Sequence, residues 1–520
     1  MLLLISIHLV LAVLSGAEGS EKPKEFLISE TAKEDLMKLD KDLITNLMEY
    51  SDKLKEKITQ LQSLAREIRQ PLDAAKGVEE EYMSNPLHSF PLIRHMYHDW
   101  HYLEEFMKKP VGQAEIDFLK EKLPELPTSE DSKDASTAMF RIARTYNATP
   151  WEIAHGLIDG VDLGDATTPL TPLDFFEIGK LCFQWEQTEE ALKWFSSIPL
   201  FEDFADAQEV LGYRVNDAVL MTARCLVEMG LPNEAENVLR QQPDIANNTA
   251  TLIALYQNQS YYPREQGPYV PEEYSKLCRS SHVSSPSRLH CRYNSTTSPF
   301  LILAPLKMEE LSLDPYIVVY HDVLSEKKAK KIIRLGDPRV EATYVLDSKL
   351  GKVKSSERTA LGTWISRRSM GWHHWPLLRY ISQQIRDISG LKVEDLFAVQ
   401  LVKYGSGAHY APHFDYFNTS NKSIKKNGDR IATLLFYLND APHGGATIFP
   451  DLKLNVNAER GKVLFWYNLK GETHDFEEKT LHGACPVFKG FKYVMTAWID
   501  EWDQMFIQPT IRQGSRHHFN

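Results

Sequence analysis

A histidine and an aspartate stand two residues apart in the segment HYAPHFDYF, at His413 and Asp415. In an extended strand, residues i and i+2 project to the same side. An imidazole nitrogen and a carboxylate oxygen could therefore bind one cation together. The pair alone is weak support for a metal site, because two ordinary polar residues at this spacing are common. A metal site needs a third ligand from elsewhere in the chain.

Two histidines near the C-terminus compete for the third position. His482 lies in KTLHGACPVFKGFKYVMTAWID, just before an apolar strand pattern, and His474 lies eight residues earlier. Strand alternation puts Lys492 on one face with Thr496 and Trp498. If that face points into a barrel, Lys492 is a buried ammonium that needs an anion, and a dicarboxylate bound to the metal at its other end could supply one. His474 has no such partner at a suitable spacing, so we favour His482.

Two histidines and one carboxylate on one face of a metal leave about three coordination positions open, which is typical of non-haem Fe(II) oxygenases. Two open positions could accept the 1-carboxylate and keto oxygen of 2-oxoglutarate, and the third could accept O2. A zinc hydrolase would more often use a different donor set with one open water position.

Composition and the first residues indicate a secretory protein of several domains. A chain of 520 residues predicts about three or four domains. The net charge of -12 is spread along the chain and argues against nucleic acid as the main partner. The apolar run Leu2–Leu14 is too short to span a bilayer and predicts a signal peptide over residues 1–17, cut near Ala17. No later run is long enough, so we expect no membrane span.

The five cysteines matter because a secretory compartment is oxidising. Cys278 and Cys291 flank a polar segment and predict a disulfide that closes this loop. Cys182 and Cys225 lie on helical patterns and are interpreted as small core residues, which leaves Cys485 over. Glycosylation sequons that suggest a glycoprotein occur at Asn147, Asn247, Asn258, Asn294, Asn418 and Asn421.

The first half of the chain has helical periodicity. Residues 26–70 carry an apolar seam with a charged exterior, which favours a coiled coil or a helical dimer arm over a single helix of a bundle. The seam consists of Leu43, Leu47, Tyr50, Leu54, Ile58, Leu61, Leu64 and Ile68.

Residues 170–245 contain two copies of a helix-pair pattern that resembles tetratricopeptide repeats, which commonly form concave peptide-binding surfaces. A plain helical hairpin domain without a ligand is the alternative. The matching positions are Phe175, Ile178, Gly179, Cys182, Ala191 and Phe195 in the first copy, and Val219, Thr222, Ala223, Leu226, Ala235 and Leu239 in the second.

After about residue 262, a segment rich in Pro, Ser and Arg indicates a linker, and short strand patterns follow it. The strands are YIVVYHDVL, LFAVQLVKY, RIATLLFYL, KVLFWYNL and KYVMTAWID, with a helix at about 373–388. Many short strands separated by Gly-rich turns indicate a sandwich or barrel. The fold class is thus a multidomain chain, α and then α+β. The predicted domains are a helical association domain (18–140), a tetratricopeptide-like domain (141–262), a linker (263–310) and an oxygenase domain (311–510).

Four segments resemble the catalytic domain of collagen prolyl 4-hydroxylase α subunits, and the resemblance extends over nearly the whole mature chain. They are YGSGAHYAPHFDYF, DRIATLLFYLNDAPHGGATIFP, GKVLFWYNL and LHGACPVFKGFKYVMTAWID. The resemblance implies a double-stranded β-helix (jelly-roll) fold. It also implies that peptidyl proline is hydroxylated at C4 while 2-oxoglutarate and O2 yield succinate and CO2.

The resemblance assigns roles by position. His413, Asp415 and His482 match the iron ligands, and Lys492 matches the residue that pairs with the distal carboxylate of 2-oxoglutarate. Tyr404 matches a residue with a hydroxyl near the co-substrate, and the positions expected near the substrate entrance are Tyr410 and Arg430.

The resemblance also implies L-ascorbate as a cofactor beside Fe(2+), assembly with the protein disulfide isomerase β subunit, and the endoplasmic reticulum lumen as location. The chain ends RHHFN without a KDEL-type signal, which agrees with retention through such a partner.

The sequence departs from this pattern at three places. Met221, Arg224 and Val227 stand where the family carries tyrosines in its repeat region, which puts the preference for proline-rich peptides in doubt. Asp500 stands where the family usually has a histidine. The partner of the cysteine that matches Cys485 is missing, so we expect a free, packed thiol there. The alternatives to an active prolyl hydroxylase are a repeat-containing binding protein with an inactive barrel and a hydroxylase for another substrate.

Overall fold

In the computed structural model, the described residues are 29–163, 170–198, 210–212, 214–258, 267–268, 270–280, 288–347, 351–354, 357–395, 397–417, 427–471, 473 and 475–504. The chain divides into two compact units, one ending at Ser129 and the other beginning at Glu130. The predicted signal peptide, His474 and two of the sequons (Asn418 and Asn421) lie outside the described residues.

The first unit consists of helices. Its elements are α1 (Glu30–Ala75), α2 (Glu79–Ser84), α3 (Pro86–Lys108) and α4 (Gln113–Lys122). Helix α1 begins where the Ser29 hydroxyl accepts from the Ala32 N–H at 3.2 Å, so the long helix predicted over residues 26–70 is confirmed from Glu30 onward. Seam residues such as Leu47, at 65% relative exposure, remain accessible in the single chain. The association function stays a prediction.

The second unit opens with further helices. They are α5 (Ser129–Tyr146), α6 (Pro150–Ala154), α7 (Pro172–Gln184), α8 (Thr188–Ser197), α9 (Val215–Glu228), α10 (Pro232–Arg240), α11 (Thr249–Asn258) and α12 (Glu272–Arg279). The two predicted helix pairs are α7–α8 and α9–α10. A β-carbon on Gly179 would lie 2.8 Å from the Phe195 ring, which confirms that a small residue permits the close approach of α7 and α8. Together, these helices and the first unit confirm a helical N-terminal region.

Strands dominate the rest of the chain. A short hairpin pairs β1 (Leu157–Ile158) with β2 (Val161–Asp162). The later strands are β3 (Cys291–Asn294), β4 (Leu306–Leu313), β5 (Tyr316–His321), β6 (Glu341–Ala342), β7 (Tyr344–Asp347), β8 (Gly351–Lys354), β9 (Leu361–Ile365), β10 (Val399–Tyr404), β11 (Tyr410–His413), β12 (Arg430–Tyr437), β13 (Thr447–Phe449), β14 (Leu454–Val456), β15 (Val463–Tyr467), β16 (His482–Ala484) and β17 (Lys492–Asp500). The five strands predicted after residue 300 are present as β5, β10, β12, β15 and β17.

Two antiparallel sheets form this region. The larger has the order β3-β4-β5-β15-β12-β17-β10-β9-β6, and the smaller has the order β11-β16-β13-β14. Strand pairs far apart in sequence, such as β12 with β17, hold the larger sheet together.

The larger sheet buries one face against two helices, α13 (Glu326–Gly336) and α14 (Trp375–Ser389), and the second matches the helix predicted at 373–388. Alternate residues such as Leu434 and Met495 enter that core. Their neighbours on the opposite face line a cavity that both sheets bound. The helical region and these sheets share the second compact unit. The predicted boundaries at residues 140, 262 and 310 stay predictions.

The predicted Cys278–Cys291 disulfide is wrong, and so is the predicted free thiol at Cys485. Cys278 of α12 is bonded to Cys485, just after β16, across 207 residues of sequence. Cys291 is a free, exposed thiol on β3, opposite Glu309 of β4. The prediction relied on closeness in sequence, whereas the tertiary fold packs α12 against the smaller sheet and so brings Cys278 to Cys485. Cys182 and Cys225 are buried and form no disulfide, which confirms their interpretation as core residues.

Among the described helices, none is both long enough and apolar enough to cross a bilayer.

Candidate metal centre

The two histidines face each other across a strand pair. His413 ends β11 and His482 begins β16, and the two are register partners in the antiparallel pair. Asp415 follows two residues after the end of β11. One donor atom from each of the three side chains lies within 4.8 Å of the other two, and within the described residues no other such group of three occurs.

Backbone carbonyls set the tautomer of both imidazoles. Nδ1 of His413 donates to the Ala411 carbonyl at 2.9 Å, and Nδ1 of His482 donates to the Thr480 carbonyl at 2.9 Å. Because a carbonyl only accepts, each ring carries its proton on Nδ1, which leaves Nε2 with a free lone pair. Both Nε2 atoms lie 3.6 Å from a carboxylate oxygen of Asp415. This is the arrangement that orients histidines for metal ligation.

Electrostatics keep Asp415 and His482 in ligating form. Burial alone would raise the pKa of Asp415, but the neighbouring imidazoles of His482 and His413 hold it well below its usual range. Burial, aided by His413, lowers the pKa of His482 to about 4. At neutral pH we therefore take the aspartate as ionised and His482 as neutral, which is the protonation state that binds a metal.

Two polar residues behind Asp415 were not foreseen from the sequence. Thr433 of β12 donates from Oγ1 to Asp415 Oδ2 at 2.8 Å, and Asn468 Nδ2 donates to Thr433 Oγ1 at 2.9 Å. Both residues are fully buried. A threonine within the otherwise apolar run ATLLFY of a predicted strand is the one signal that could have indicated the first of them.

Lys492 lies in the same cavity as the three donors, with 1% of its surface exposed. Its Nζ donates to Thr447 Oγ1 at 3.4 Å and sits 5.2 Å from the centre of the Tyr404 ring. No described carboxylate lies within ion-pair distance of it. Burial lowers the pKa of Lys492 to about 7. An anion inside the cavity would reverse that shift.

The cavity encloses about 440 Å³ of space, open solvent at its mouth included. Lys492, Val494, Thr496 and Trp498 all line it, so the face predicted to point inward does so. Tyr404 also lines it, and burial raises the pKa of this phenol to about 12, which keeps it a protonated donor.

Cations and aromatic rings lie beside the three donors. Tyr410 stacks on His413 with ring centroids 3.5 Å apart, and the guanidinium of Arg358 lies 4.8 Å from the centre of the Tyr410 ring. The guanidinium of Arg430 lies 4.2 Å from the centre of the Trp498 ring and donates to the Asp415 carbonyl at 3.3 Å. Tyr410 and Arg430, both predicted near the entrance, are thus brought to the metal centre, whereas Arg358 was not predicted.

Three buried N–H groups around the cavity have no hydrogen-bond partner in the described structure. They belong to Arg358 (Nε), Trp466 (Nε1) and Trp498 (Nε1). Buried donors are ordinarily satisfied, so these three mark a surface suited to a ligand with acceptor oxygens.

The donor set fits a first-row divalent cation. Two imidazoles and one carboxylate on one side of a cavity match the ligands of non-haem iron sites with open positions. The cavity that these three donors line is also lined by Lys492. The residues present therefore fit Fe(2+) together with a dicarboxylate.

Comparisons with known proteins support an iron site at these residues. A family profile described as "Prolyl 4-Hydroxylase alpha-subunit, N-terminal region" matches residues 29–160, and one described as "2OG-Fe(II) oxygenase superfamily" matches residues 399–500. The chain is 29% identical over 510 residues to prolyl 4-hydroxylase subunit alpha-1 of Rattus norvegicus, covering 91% of this chain and 93% of that one. It is 28% identical over 518 residues to subunit alpha-2 of Gallus gallus, covering 93% and 95%.

This chain is a homologue of the prolyl 4-hydroxylase α subunits. The match extends over nearly the full length of this chain and of each subunit. All three candidate metal ligands and Lys492 fall within the residues matched by the oxygenase superfamily.

Solved structures also match parts of this α-subunit homologue. The 2OG complex of a viral collagen prolyl hydroxylase from Paramecium Bursaria Chlorella virus-1 matches with a TM-score of 0.28 and 22% identity, covering 35% of this chain and 95% of that one. A Pseudomonas putida prolyl-4-hydroxylase matches with a TM-score of 0.24 and 16% identity, covering 36% and 92%.

Proposed function

We propose that the chain is the catalytic α-type subunit of a prolyl 4-hydroxylase. It would convert peptidyl proline, 2-oxoglutarate and O2 into peptidyl 4-hydroxyproline, succinate and CO2. One oxygen atom enters the hydroxyl group and the other enters succinate. The observation that supports this proposal most directly is the buried Lys492 in one cavity with two histidines and an aspartate.

The roles of the site residues follow from their contacts. His413 and His482 would hold Fe(2+) through Nε2, and Asp415 through a carboxylate oxygen. Iron, when bound there, supplies the activation of O2 that oxidises both 2-oxoglutarate and the substrate C–H bond. The protein's own residues bind and orient the reactants around it.

Lys492 would pair with the distal carboxylate of 2-oxoglutarate. A buried ammonium without an anion is costly, and the dicarboxylate removes that cost when it binds. The Thr447 hydroxyl accepts from this ammonium and the Tyr404 ring lies 5.2 Å from it, so both residues are placed to contact the same carboxylate. The apolar side chains of Leu435 and Val494 line the same space and exclude water from it.

The mouth supports a peptide as the second substrate. The guanidinium groups of Arg358 and Arg430 and the N–H of Trp498 offer donors to backbone carbonyls, and the rings of Tyr410 and Trp498 offer flat apolar surfaces. Flat rings with neighbouring donors suit proline-containing extended chains.

The finer fold assignments belong to the same proposal. The α7–α8 and α9–α10 pairs are interpreted as tetratricopeptide-like repeats that bind the peptide outside the active site, and the two sheets as a double-stranded β-helix. Arg224 of α9 lies 4.8 Å from the centre of the Phe183 ring and 3.6 Å from a carboxylate oxygen of Glu228. Arg224 is thus paired with a carboxylate at a position where the resemblance predicts a tyrosine.

The cellular context is also proposed. The proposed signal peptide rests on the apolar run Leu2–Leu14, and glycosylation rests on the sequons. The resemblance to the α subunits supports the endoplasmic reticulum lumen, a protein disulfide isomerase β subunit as partner and L-ascorbate as cofactor. The coiled coil proposed for the first unit would mediate subunit association.

Succinate release tests the function. The complete protein, copurified with its partners from secretory lysate, is supplied with Fe(2+), ascorbate, 2-oxoglutarate and a (Pro-Pro-Gly)-type peptide, and the peptide product is analysed by mass spectrometry. Peptide-dependent succinate together with 4-hydroxyproline is the expected result.

Other results would favour the alternatives. Peptide binding without succinate release would point to a binding protein with an inactive barrel. Succinate release with a hydroxylated product other than proline would point to a hydroxylase for another substrate.

A further inference from the structure

The strand that carries His482 is short and is paired on both sides within its sheet. Strand β16 has three residues; its ladder with β11 is irregular between Tyr410 and His413, and its ladder with β13 pairs Gly483 with Ile448 and Ala484 with Thr447. Beyond Ala484, the Cys485 N–H donates to the Ala446 carbonyl at 2.8 Å. His482 itself pairs in the irregular ladder with β11, so contacts from outside the sheet add to the constraint on its backbone.

The helical region supplies those contacts at three consecutive residues. The Tyr274 hydroxyl donates to the Ala484 carbonyl at 2.7 Å, and the Tyr146 hydroxyl donates to the Pro486 carbonyl at 2.6 Å. Between them, Cys485 carries the disulfide to the helical region described above. We call Tyr146, Tyr274 and Cys278 the helical clamp.

Tyr274 also packs directly against the backbone next to the ligand. A β-carbon on Gly483 would lie 3.3 Å from Tyr274 Cε2 and 3.0 Å from the Tyr410 carbonyl oxygen. The chain between His482 and Ala484 is therefore enclosed between a helix on one side and β11 on the other. A side chain at this position would require one of these neighbours to shift by a few tenths of an ångström.

The clamp is itself fixed. Asn455 Nδ2 donates to the carbonyls of Leu277 and Ser280 at the end of α12, at 2.7 and 3.0 Å. Arg279 donates to the Thr145 carbonyl at 2.9 Å, which ties α12 to α5. Both clamp tyrosines are 3% exposed, and burial raises the pKa of each, so both hydroxyls stay protonated donors.

One hydrophobic core runs through the clamp. It contains Phe175 and Ile178 of α7, the clamp residues, and Ile448 of β13 in the smaller sheet. A displacement of the helices would thus reach the strand that bears His482 through packed contacts.

We propose that the helical clamp positions His482, so that the helical region, as well as the sheets, sets the affinity and geometry of the metal centre. Tyr146, Tyr274 and Cys278 are positioning residues in this role, since none of them lines the cavity. The proposal rests on the metal-binding part of the proposed function and does not depend on the identity of the substrate.

Cobalt(II) binding to the full-length protein tests it. Co(2+) alone is titrated, and its visible absorption reports both affinity and ligand geometry. We expect Tyr274→Phe and Tyr146→Phe, which keep the ring and remove only the hydroxyl, each to weaken Co(2+) binding roughly tenfold, the size seen when an outer partner of a metal ligand is lost, and to alter the spectrum. The double variant should be weaker than either. Tyr293→Phe, at an exposed tyrosine on β3, is the matched control and should bind like wild type.

Peptide mapping and cysteine variants test the disulfide independently. Non-reducing peptide mapping should recover a fragment that links Cys278 to Cys485. The paired variant Cys278→Ser with Cys485→Ser should weaken Co(2+) binding, whereas Cys291→Ser should not. If the paired variant fails to fold, the tyrosine variants decide the matter.

Wild-type affinity and spectrum in both tyrosine variants, with only the melting temperature lowered, would overturn the proposal. Recovery of a Cys278–Cys291 fragment would remove the disulfide from the clamp. If wild type binds Co(2+) through His482 but hydroxylates no peptide, the proposed function fails while this inference stands.

Discussion

Thr433 directs its only hydroxyl proton at Asp415. The 2.8 Å hydrogen bond from Thr433 Oγ1 to Asp415 Oδ2 is enforced by Asn468, whose Nδ2–H occupies the acceptor side of the same hydroxyl. The carboxylate is thereby held with one oxygen bonded to the protein and the other free to face a cation. A chain of two hydrogen bonds, both fully buried, orients the acidic ligand.

Removing that hydroxyl should weaken metal binding. Thr433→Val is nearly isosteric and leaves Asp415 without its donor, so we expect affinity for Fe(2+) or Co(2+) to fall about 10- to 100-fold. Thr433→Ser retains the hydroxyl and serves as the control. Metal titration of the two variants checks this, and equal affinities would show that the hydrogen bond does not orient the carboxylate.

The choice between the two C-terminal histidines is open to a direct test. His482→Ala removes a buried Nε2 donor from the group of three, so coupled turnover should drop to the background of metal-free protein. His474→Ala should keep wild-type turnover. Peptide-dependent succinate release measures both, and activity retained by the first variant but lost by the second would reverse our assignment.

The affinity for 2-oxoglutarate should depend on pH through Lys492. Burial holds its pKa at about 7 in the free protein, and a bound carboxylate raises it. Above pH 7, binding must therefore take up a proton, and affinity should fall by up to about tenfold per pH unit. Below pH 7 the ammonium is already charged, so this dependence should disappear.

Binding isotherms between pH 6 and 9, in two buffers of different ionisation enthalpy, would detect the proton uptake. Lys492→Arg retains its charge over this range and should give a flat profile. A wild-type profile that is equally flat would mean that the ammonium stays charged without its anion.

Arg358 should act on the peptide rather than on the co-substrate. It lies over Tyr410, donates to Gln400 Oε1 at 3.0 Å, and keeps a buried Nε–H without a partner. Arg358→Gln should raise the KM for peptide about tenfold, the loss expected for one hydrogen bond to a charged group, and leave the KM for 2-oxoglutarate unchanged. Arg367→Gln, which alters an exposed guanidinium near the Trp375 ring, is the control. A rise in the 2-oxoglutarate KM instead would place Arg358 with the co-substrate.

Local sequence rules predicted much of the site. The two-residue period of a strand predicted His413 and Asp415 on one side; the structure brings them together, although β11 ends at His413 and Asp415 lies in the bend that follows. The same period put Lys492 on the face with Trp498 that lines the cavity. The long helix from residue 30 and the five main strands follow from periodicity in the same way. These features depend on neighbours along the chain, and a single sequence displays them.

The sequence by itself determined the three candidate ligands and the buried Lys492. It also determined the strand alternation that places Lys492 on the face lining the cavity. Only the tertiary structure decided which groups stand behind them. Thr433 and Asn468 meet at Asp415 because β12 and the end of β15 converge there, and Cys278 meets Cys485 because α12 packs on the smaller sheet. Contacts across tens to hundreds of residues arise from the packing of whole elements, and no local period in the chain encodes them.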